Sequence, residues 1–348
     1  VVILRSPVRR AALVLGLCLL ACLVLGALEA KAGSVIQLYG AENVGTAGAQ
    51  FLRLPAGARA AALGQAGVAA AVDGSAPFWN PAATVRTQGR RNLFFGHTAY
   101  AAGIDVEHAS YHTHGHTWSW GVSAGVLRSG DIPRTTEFHQ QGTGQTFQAN
   151  MMVLGLTGTR AMTDRFSIGA NVKYYQENLD DLSLGAPVMD VGVLYYPGIG
   201  DLRIGFVVRN FGPDMRPGGT PLELDGYDTP SEYQSFSAPT SGSFGTAYTW
   251  SLGGQTSLLT SVEFHHPTDY SESFRLGGEL ALGPHLDLRG GWETNRDEGG
   301  LSAGFGVEVA RDRWRVGLDY ALRDMGSFGT IHMVSVDLAP LLAPRGMR

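Results

Sequence analysis

From Arg91 to Leu338 the chain alternates apolar and polar residues in runs of about ten, and no other feature so narrows the folds open to it. In Phe274 to Leu282, Phe274, Leu276, Leu280 and Leu282 share one face and Arg275 and Glu279 the other. Leu301 to Val309 sets Leu301, Ala303, Phe305, Val307 and Val309 against Ser302, Gly304, Gly306 and Glu308. Arg313 to Arg323 sets Trp314, Val316, Leu318, Tyr320 and Leu322 against Arg313, Arg315, Asp319 and Arg323. A period of two is the signature of a β-strand with two unlike faces. The pattern predicts fourteen strands, near 91–100, 103–112, 117–128, 145–160, 165–178, 186–197, 200–211, 235–250, 255–266, 271–283, 285–294, 299–310, 313–323 and 328–338.

Alternation alone does not say which face is inside. Three features favour an apolar exterior, as in a transmembrane antiparallel β-barrel. The strands run to about ten residues, the length that crosses a bilayer at a tilt. Tyr174, Tyr195, Trp250, Phe264, Trp292, Trp314 and Tyr320 fall near strand ends, where an aromatic girdle belongs. The chain carries an export signal but no second apolar anchor. Closing the sheet also removes the unpaired backbone edges that lipid does not tolerate. The links alternate too: 161–164, 197–200, 251–255, 283–284 and 311–312 are short, whereas Ser129–Gly144 and Gly212–Gln234 are long. Short periplasmic turns and longer extracellular loops give that alternation, and an even strand number puts both chain ends on the periplasmic side.

The bulk numbers agree. Hydrophobic residues are 44% of the chain and mean hydropathy is near zero, with one long apolar run, so a helical membrane protein is excluded. Net charge is −5 and no basic stretch stands out, which argues against nucleic acid as a partner. Residues 1–32 read as a signal peptide. Arg5, Arg9 and Arg10 precede the apolar run Ala11 to Leu28, and Ala30-Lys31-Ala32 is a small-x-small cleavage site. A lipobox at Leu19 to Cys22 and an uncleaved anchor helix are the rival readings. Cys18 and Cys22, the only cysteines, lie within this signal, so no disulfide is expected after cleavage.

Between signal and strands lies Gly45 to Ala83, GTAGAQFLRLPAGARAAALGQAGVAAAVDGSAPFWNPAA. Ala56 to Val72 is nearly all Ala, Gly and Leu with one Arg, and reads as a helix for a tight space that stops at Asp73-Gly74. Ala47-Gly48, Phe51-Leu52, Gly57-Ala58-Arg59-Ala60, Leu63-Gly64, Ala66, Asp73 and Trp79-Asn80-Pro81-Ala82 resemble the N-terminal signature of the PorV/PorQ family. Leu63 stands where that family usually has Met, and Ala83 where it usually has Gly. The resemblance implies an outer-membrane barrel related in fold to the fatty-acid channel FadL, with Phe51, Leu52, Gly57, Arg59, Gly64, Asp73, Trp79, Asn80, Pro81 and Ala82 as motif residues.

The expected organisation is therefore a signal peptide at 1–32, an N-terminal plug or periplasmic segment at 33–90, a barrel at 91–338 and a tail at 339–348 with two prolines. Arg203, Arg209, Arg275, Glu279, Asp287, Arg289, Glu293, Glu308, Arg313, Arg315 and Asp319 face the lumen on this reading. Their mixed signs suit interlocking ion pairs or contacts to the plug. Arg59 either pairs with a luminal carboxylate or sits solvated at the periplasmic rim. Gly121-Val122-Ser123-Ala124-Gly125 matches a nucleophile elbow but lies within a strand, not at the strained turn that chemistry needs. His108, His112, His114 and His116 have ligand-like spacing; a solvated turn around Gly115 is the plainer reading, and His265-His266 is weaker still. The chain reads as a non-enzyme without cofactor or metal.

Two functions compete. The PorV/PorQ resemblance implies type IX secretion and surface attachment, with exported proteins and secretion components as partners and the two long loops as the contact surface. A FadL-like channel for hydrophobic small molecules such as fatty acids is the alternative. It requires an apolar pocket near the extracellular mouth and a kink or gap in the wall, and the charged lumen argues against it. A monomeric barrel in outer-membrane lipid is expected either way.

Overall fold

The computed structural model describes residues 44–219, 232–296, 299–311 and 313–340. The expected signal peptide, the first part of the expected plug segment, residues 341–348 of the tail and part of the second long loop lie outside them.

Fourteen strands close into one antiparallel barrel, each hydrogen-bonded to its sequence neighbours and the last to the first. They are β1 (Arg91–Ala99), β2 (Asp105–His114), β3 (Trp118–Arg128), β6 (Ala149–Ala161), β7 (Phe166–Leu179), β8 (Leu182–Tyr195), β9 (Arg203–Phe211), β10 (Ser241–Gly253), β11 (Thr256–Pro267), β12 (Ser273–Leu282), β13 (Leu286–Glu293), β14 (Leu301–Arg311), β15 (Trp314–Asp324) and β16 (Thr330–Pro340). A small hairpin of β4 (Ile132–Pro133) and β5 (Thr146–Phe147) stands in the loop between β3 and β6. Two-residue pairings have no periodicity, so the sequence pattern does not show it.

The expected inversion holds. Leu156 is 67% exposed, Trp314 56% and Phe305 42%, whereas Glu293, Arg289 and Ser302 on the opposite faces are buried. Such a surface is stable only against lipid. The rim holding the outer ends of β1 and β16 is here called proximal, the other distal. Proximal turns are mostly short, and the long links 129–148 and 212–240 are distal.

Strand ends differ from the expected ones in instructive places. β16 continues to Pro340, which pairs with Trp314, so Ala339 and Pro340 belong to the barrel rather than to a tail. Arg313 lies in the proximal turn before β15 and is exposed, not luminal. β8 starts at Leu182 and tolerates Pro187 because β9 has already ended at Phe211, opposite Met189.

The N-terminal segment fills the lumen, but not as one helix. Only α1 (Ala58–Ala62) is α-helical in the Ala56 to Val72 stretch. Gly64 (φ 63°) and Gln65 (φ 64°) are left-handed and end the helix after little more than one turn. Turns, then α2 (Ala76–Trp79) and a 3-10 turn (Pro81–Arg86), lead into β1. Small side chains serve close packing here rather than helix propensity: Ala58, Ala61, Ala62, Ala70 and Ala76 have no exposure.

Candidate functional site

The described part of the plug runs from the distal mouth through the lumen to the proximal rim. At the mouth, Gly48 N donates to Ser237 O, and Gln50 and Arg53 both bond Asp269 at 3.0 Å. Phe51 sits in an apolar cluster with Val106, Val153, Tyr175, Val188 and Met215.

Below it the motif residues meet the wall. Arg59 grips Glu279 with two bonds, Nε to Oε2 at 2.7 Å and Nη2 to Oε1 at 2.9 Å, and reaches Asp73 with Nη1 at 2.8 Å. Of its two sequence readings, the luminal pair is the one in the structure. Burial pushes the Asp73 carboxyl up, but Arg59 and Ser75 outweigh that and hold it below the ordinary carboxylate range. Glu279 also accepts from Arg289, which extends to Asp319 and Asp287. A second node centres on Glu293, which accepts from Arg275, Arg296, Arg323 and plug residue Gln65. Arg275 continues to Glu263, whose other oxygen accepts from Val68 N.

The remaining motif residues bond backbone. Trp79 Nε1 donates to Ala56 O, and Asn80 bridges Val68 O, Val193 O and Ala82 N. Gly57 starts α1 with φ 87°, and Leu52 and Pro81 line plug contacts. Leu63, the variant position, packs against Ala69, Ala70, Ala247 and Leu259, and Ala83 is buried.

The histidine reading needs correction. His108 and His112 are buried inward positions of β2, not a solvated turn, since they share the parity of Val106 and Ser110. His108 lies against Phe51 and Phe78 of the plug, and His112 meets Thr87. His114 and His116 are farther along at the proximal end, and the described residues hold no group fit for a metal ion. His265 bonds Ser243 and His266 pairs with Glu272. Ser123 stays mid-strand in β3, facing inward.

Two cavities of useful size flank the plug. The distal one, about 530 Å³, is lined by Leu52, Leu54, Tyr100, Tyr270, Met325 and Phe328 together with Arg53, Arg209, Arg275, Glu293, Arg296 and Arg323. Arg209 differs from its neighbours. Its guanidinium lies 5.8 Å from the Trp79 ring centre, and no described carboxylate is within ion-pair distance. The proximal cavity, about 300 Å³, is lined by Asp73, Glu279, Asp287, Glu308, Asp319 and Asp337 with Arg59, Arg289 and Arg315 among them. Toward the distal rim the wall has a covered notch between β8 and β9. Above Met189 the edge of β8 has no β9 partner, and Gly218, bonded to Ser183 O, closes it with the Met215–Phe236 bridge.

No family model matches the chain, and no curated protein matches it. Solved structures do. The toluene transporter TbuX of Ralstonia pickettii is 13% identical with a TM-score of 0.53, covering 82% of this chain and 97% of its own. The monoaromatic hydrocarbon channel CymD is 13% identical with a TM-score of 0.51, covering 81% and 96%. The Pseudomonas putida toluene transporter TodX is 12% identical with a TM-score of 0.50, covering 79% and 95%. At such identity the likeness is one of fold: this chain shares the closed antiparallel barrel of these channels.

Proposed function

We infer that the chain is an outer-membrane channel protein that takes up a small molecule with an apolar body and an anionic head, such as a fatty acid. The distal cavity carries this reading: apolar side chains line it together with Arg209, a guanidinium held over Trp79 and free of a described carboxylate partner. The named substrates of the similar channels are neutral hydrocarbons, for which a lining guanidinium without a carboxylate would be a cost rather than a contact. With the lumen packed around the plug, the cavity is a binding chamber and passage requires the plug or the notch cover to move.

Calorimetry with the detergent-solubilised barrel tests this. Dodecanoate should bind at least tenfold more tightly than dodecanol, and Arg209→Gln should remove that difference while leaving dodecanol unchanged. A charge-assisted hydrogen bond of about 1.5–3 kcal/mol corresponds to roughly 10–100-fold. Equal affinity for acid and alcohol would overturn the reading.

A second reading, handling of exported proteins in type IX-like secretion, follows from the N-terminal resemblance. One observation favours it: the β4–β5 hairpin stands on the distal rim, braced by Arg134 on Asp180, and presents Phe138 at 92% exposure. Native mass spectrometry of the barrel from its own membrane separates the two, by a co-purifying polypeptide or by a bound fatty ligand.

A further inference from the structure

The two rims carry opposite charge. Among the described residues, exposed arginines Arg90, Arg91, Arg160, Arg165 and Arg313 dominate the proximal rim, against Asp164 and Asp201. On the distal rim exposed carboxylates such as Asp105, Asp131, Glu137, Asp181, Asp214 and Asp324 outnumber exposed arginines.

The proximal arginines are not evenly spread. Arg160 and Trp118 are cross-strand partners on the outer face, and the guanidinium lies 5.1 Å from the Trp118 ring centre. Trp118 is stacked on Trp120 at 5.8 Å with 6° between ring planes, and both rings are exposed, 46% and 61%. One row over, Arg91 on β1 is opposite Thr113, which is opposite Trp120. Arg91 shares the outward parity of Phe95, so it too faces the bilayer side. Two tryptophans are thus flanked by two outward arginines at the level where strands leave the hydrocarbon.

We propose that this patch binds the phosphate headgroup of an anionic phospholipid in the proximal leaflet. Tryptophan rings seat at the depth of headgroup and glycerol backbone. An arginine fixed on an aromatic face keeps its outer N–H groups for a phosphate, which it grips in a fork. A basic rim toward one leaflet adds long-range attraction for anionic lipid there, whereas the acidic distal rim repels it. Charge complementarity and the stacked geometry together single out β1 to β6, not the rim at large. The inference needs only that the barrel spans a bilayer, and stands apart from what the lumen carries.

Native mass spectrometry of the barrel with added phosphatidylglycerol, against phosphatidylcholine of the same chains, is the test. The wild type should retain phosphatidylglycerol at least threefold better. Arg91→Gln with Arg160→Gln should bring that ratio to about one, and Arg313→Gln, on the same rim but on β15's turn away from Trp118 and Trp120, should leave it unchanged. A wild-type ratio of one, a ratio unmoved in the double variant, or an equal loss in Arg313→Gln would each overturn the site, the last by showing diffuse charge attraction. Unchanged heat-modifiable migration on gels confirms that the variants are folded.

Discussion

The inner wall holds the plug by close packing on both arcs, and on one arc by charge as well. From β11 to β16 carboxylates take plug donors, Arg59 on Glu279 as an ion pair and Gln65 on Glu293, Val68 N on Glu263 and Gly74 N on Asp337 as neutral donors, beside the close approach of Gly291 to Gly64. From β2 to β9 the grip is neutral and close. Thr159, Ser167 and Ser110 donate to plug carbonyls, and glycines let backbone touch backbone. A Cβ on Gly169 would lie 2.6 Å from Ala82 N, and one on Gly192 would lie 2.1 Å from Asn80 Oδ1. Close packing, on both arcs, fixes where the plug sits, because packed surfaces tolerate no displacement. The ionic arc makes leaving costly, because each vacated charge stays behind inside the barrel without its partner.

The largest effect expected is therefore on the ionic arc. Arg59→Ala should destabilise the plugged state by about 3 kcal/mol, the low end for breaking a buried pair. It belongs at the low end because Arg289 still reaches Glu279 and Ser75 still reaches Asp73. Planar-bilayer conductance reads this directly, as openings that are rare in wild type and frequent in the variant. Unchanged conductance and melting would mean that the ionic arc does not hold the plug. Next comes Gly192→Ala, expected to cost about 2 kcal/mol by overpacking against Asn80. Its signature differs: protease should reach the segment after Trp79 first, since Asn80 anchors that turn to Val68 O and Val193 O.

The barrel was legible in the sequence because a strand reports its own two faces. Phe305 and Glu308 announce outside and inside without reference to any other segment. The plug's role was legible only in part. Small residues and the stop at Asp73-Gly74 foretold a tight space, but α1 ends where Gly64 and Gln65 turn left-handed, and a short run of alanines does not reveal that. Pair partners were out of reach for a different reason. Arg59 and Glu279 are 220 residues apart, and only the closed barrel brings them together. His108 and His112 could have been placed: they keep the inward parity of Val106 and Ser110, opposite exposed Tyr111, and their polarity misdirected the reading. The distal cavity exists only once Leu52 to Pro55 cross the mouth, so no strand pattern contains it.

The smallest effect expected is at Thr159, and it sharpens the contrast between the arcs. Its hydroxyl donates to Pro81 O at 2.6 Å and lies 2.8 Å from the Thr84 hydroxyl. Thr159→Val keeps the shape and removes both contacts. Pro81 O is not orphaned, because Thr84 Oγ1 also donates to it at 3.0 Å. With no charge stranded and its carbonyl partner still served, the loss is that of one neutral hydrogen bond, about 1 kcal/mol. Melting of the folded barrel and the conductance record should both move less than for Gly192→Ala. A loss as large as that of Arg59→Ala would mean that hydroxyls, not ion pairs, retain the plug, and the division of labour between the two arcs would fall.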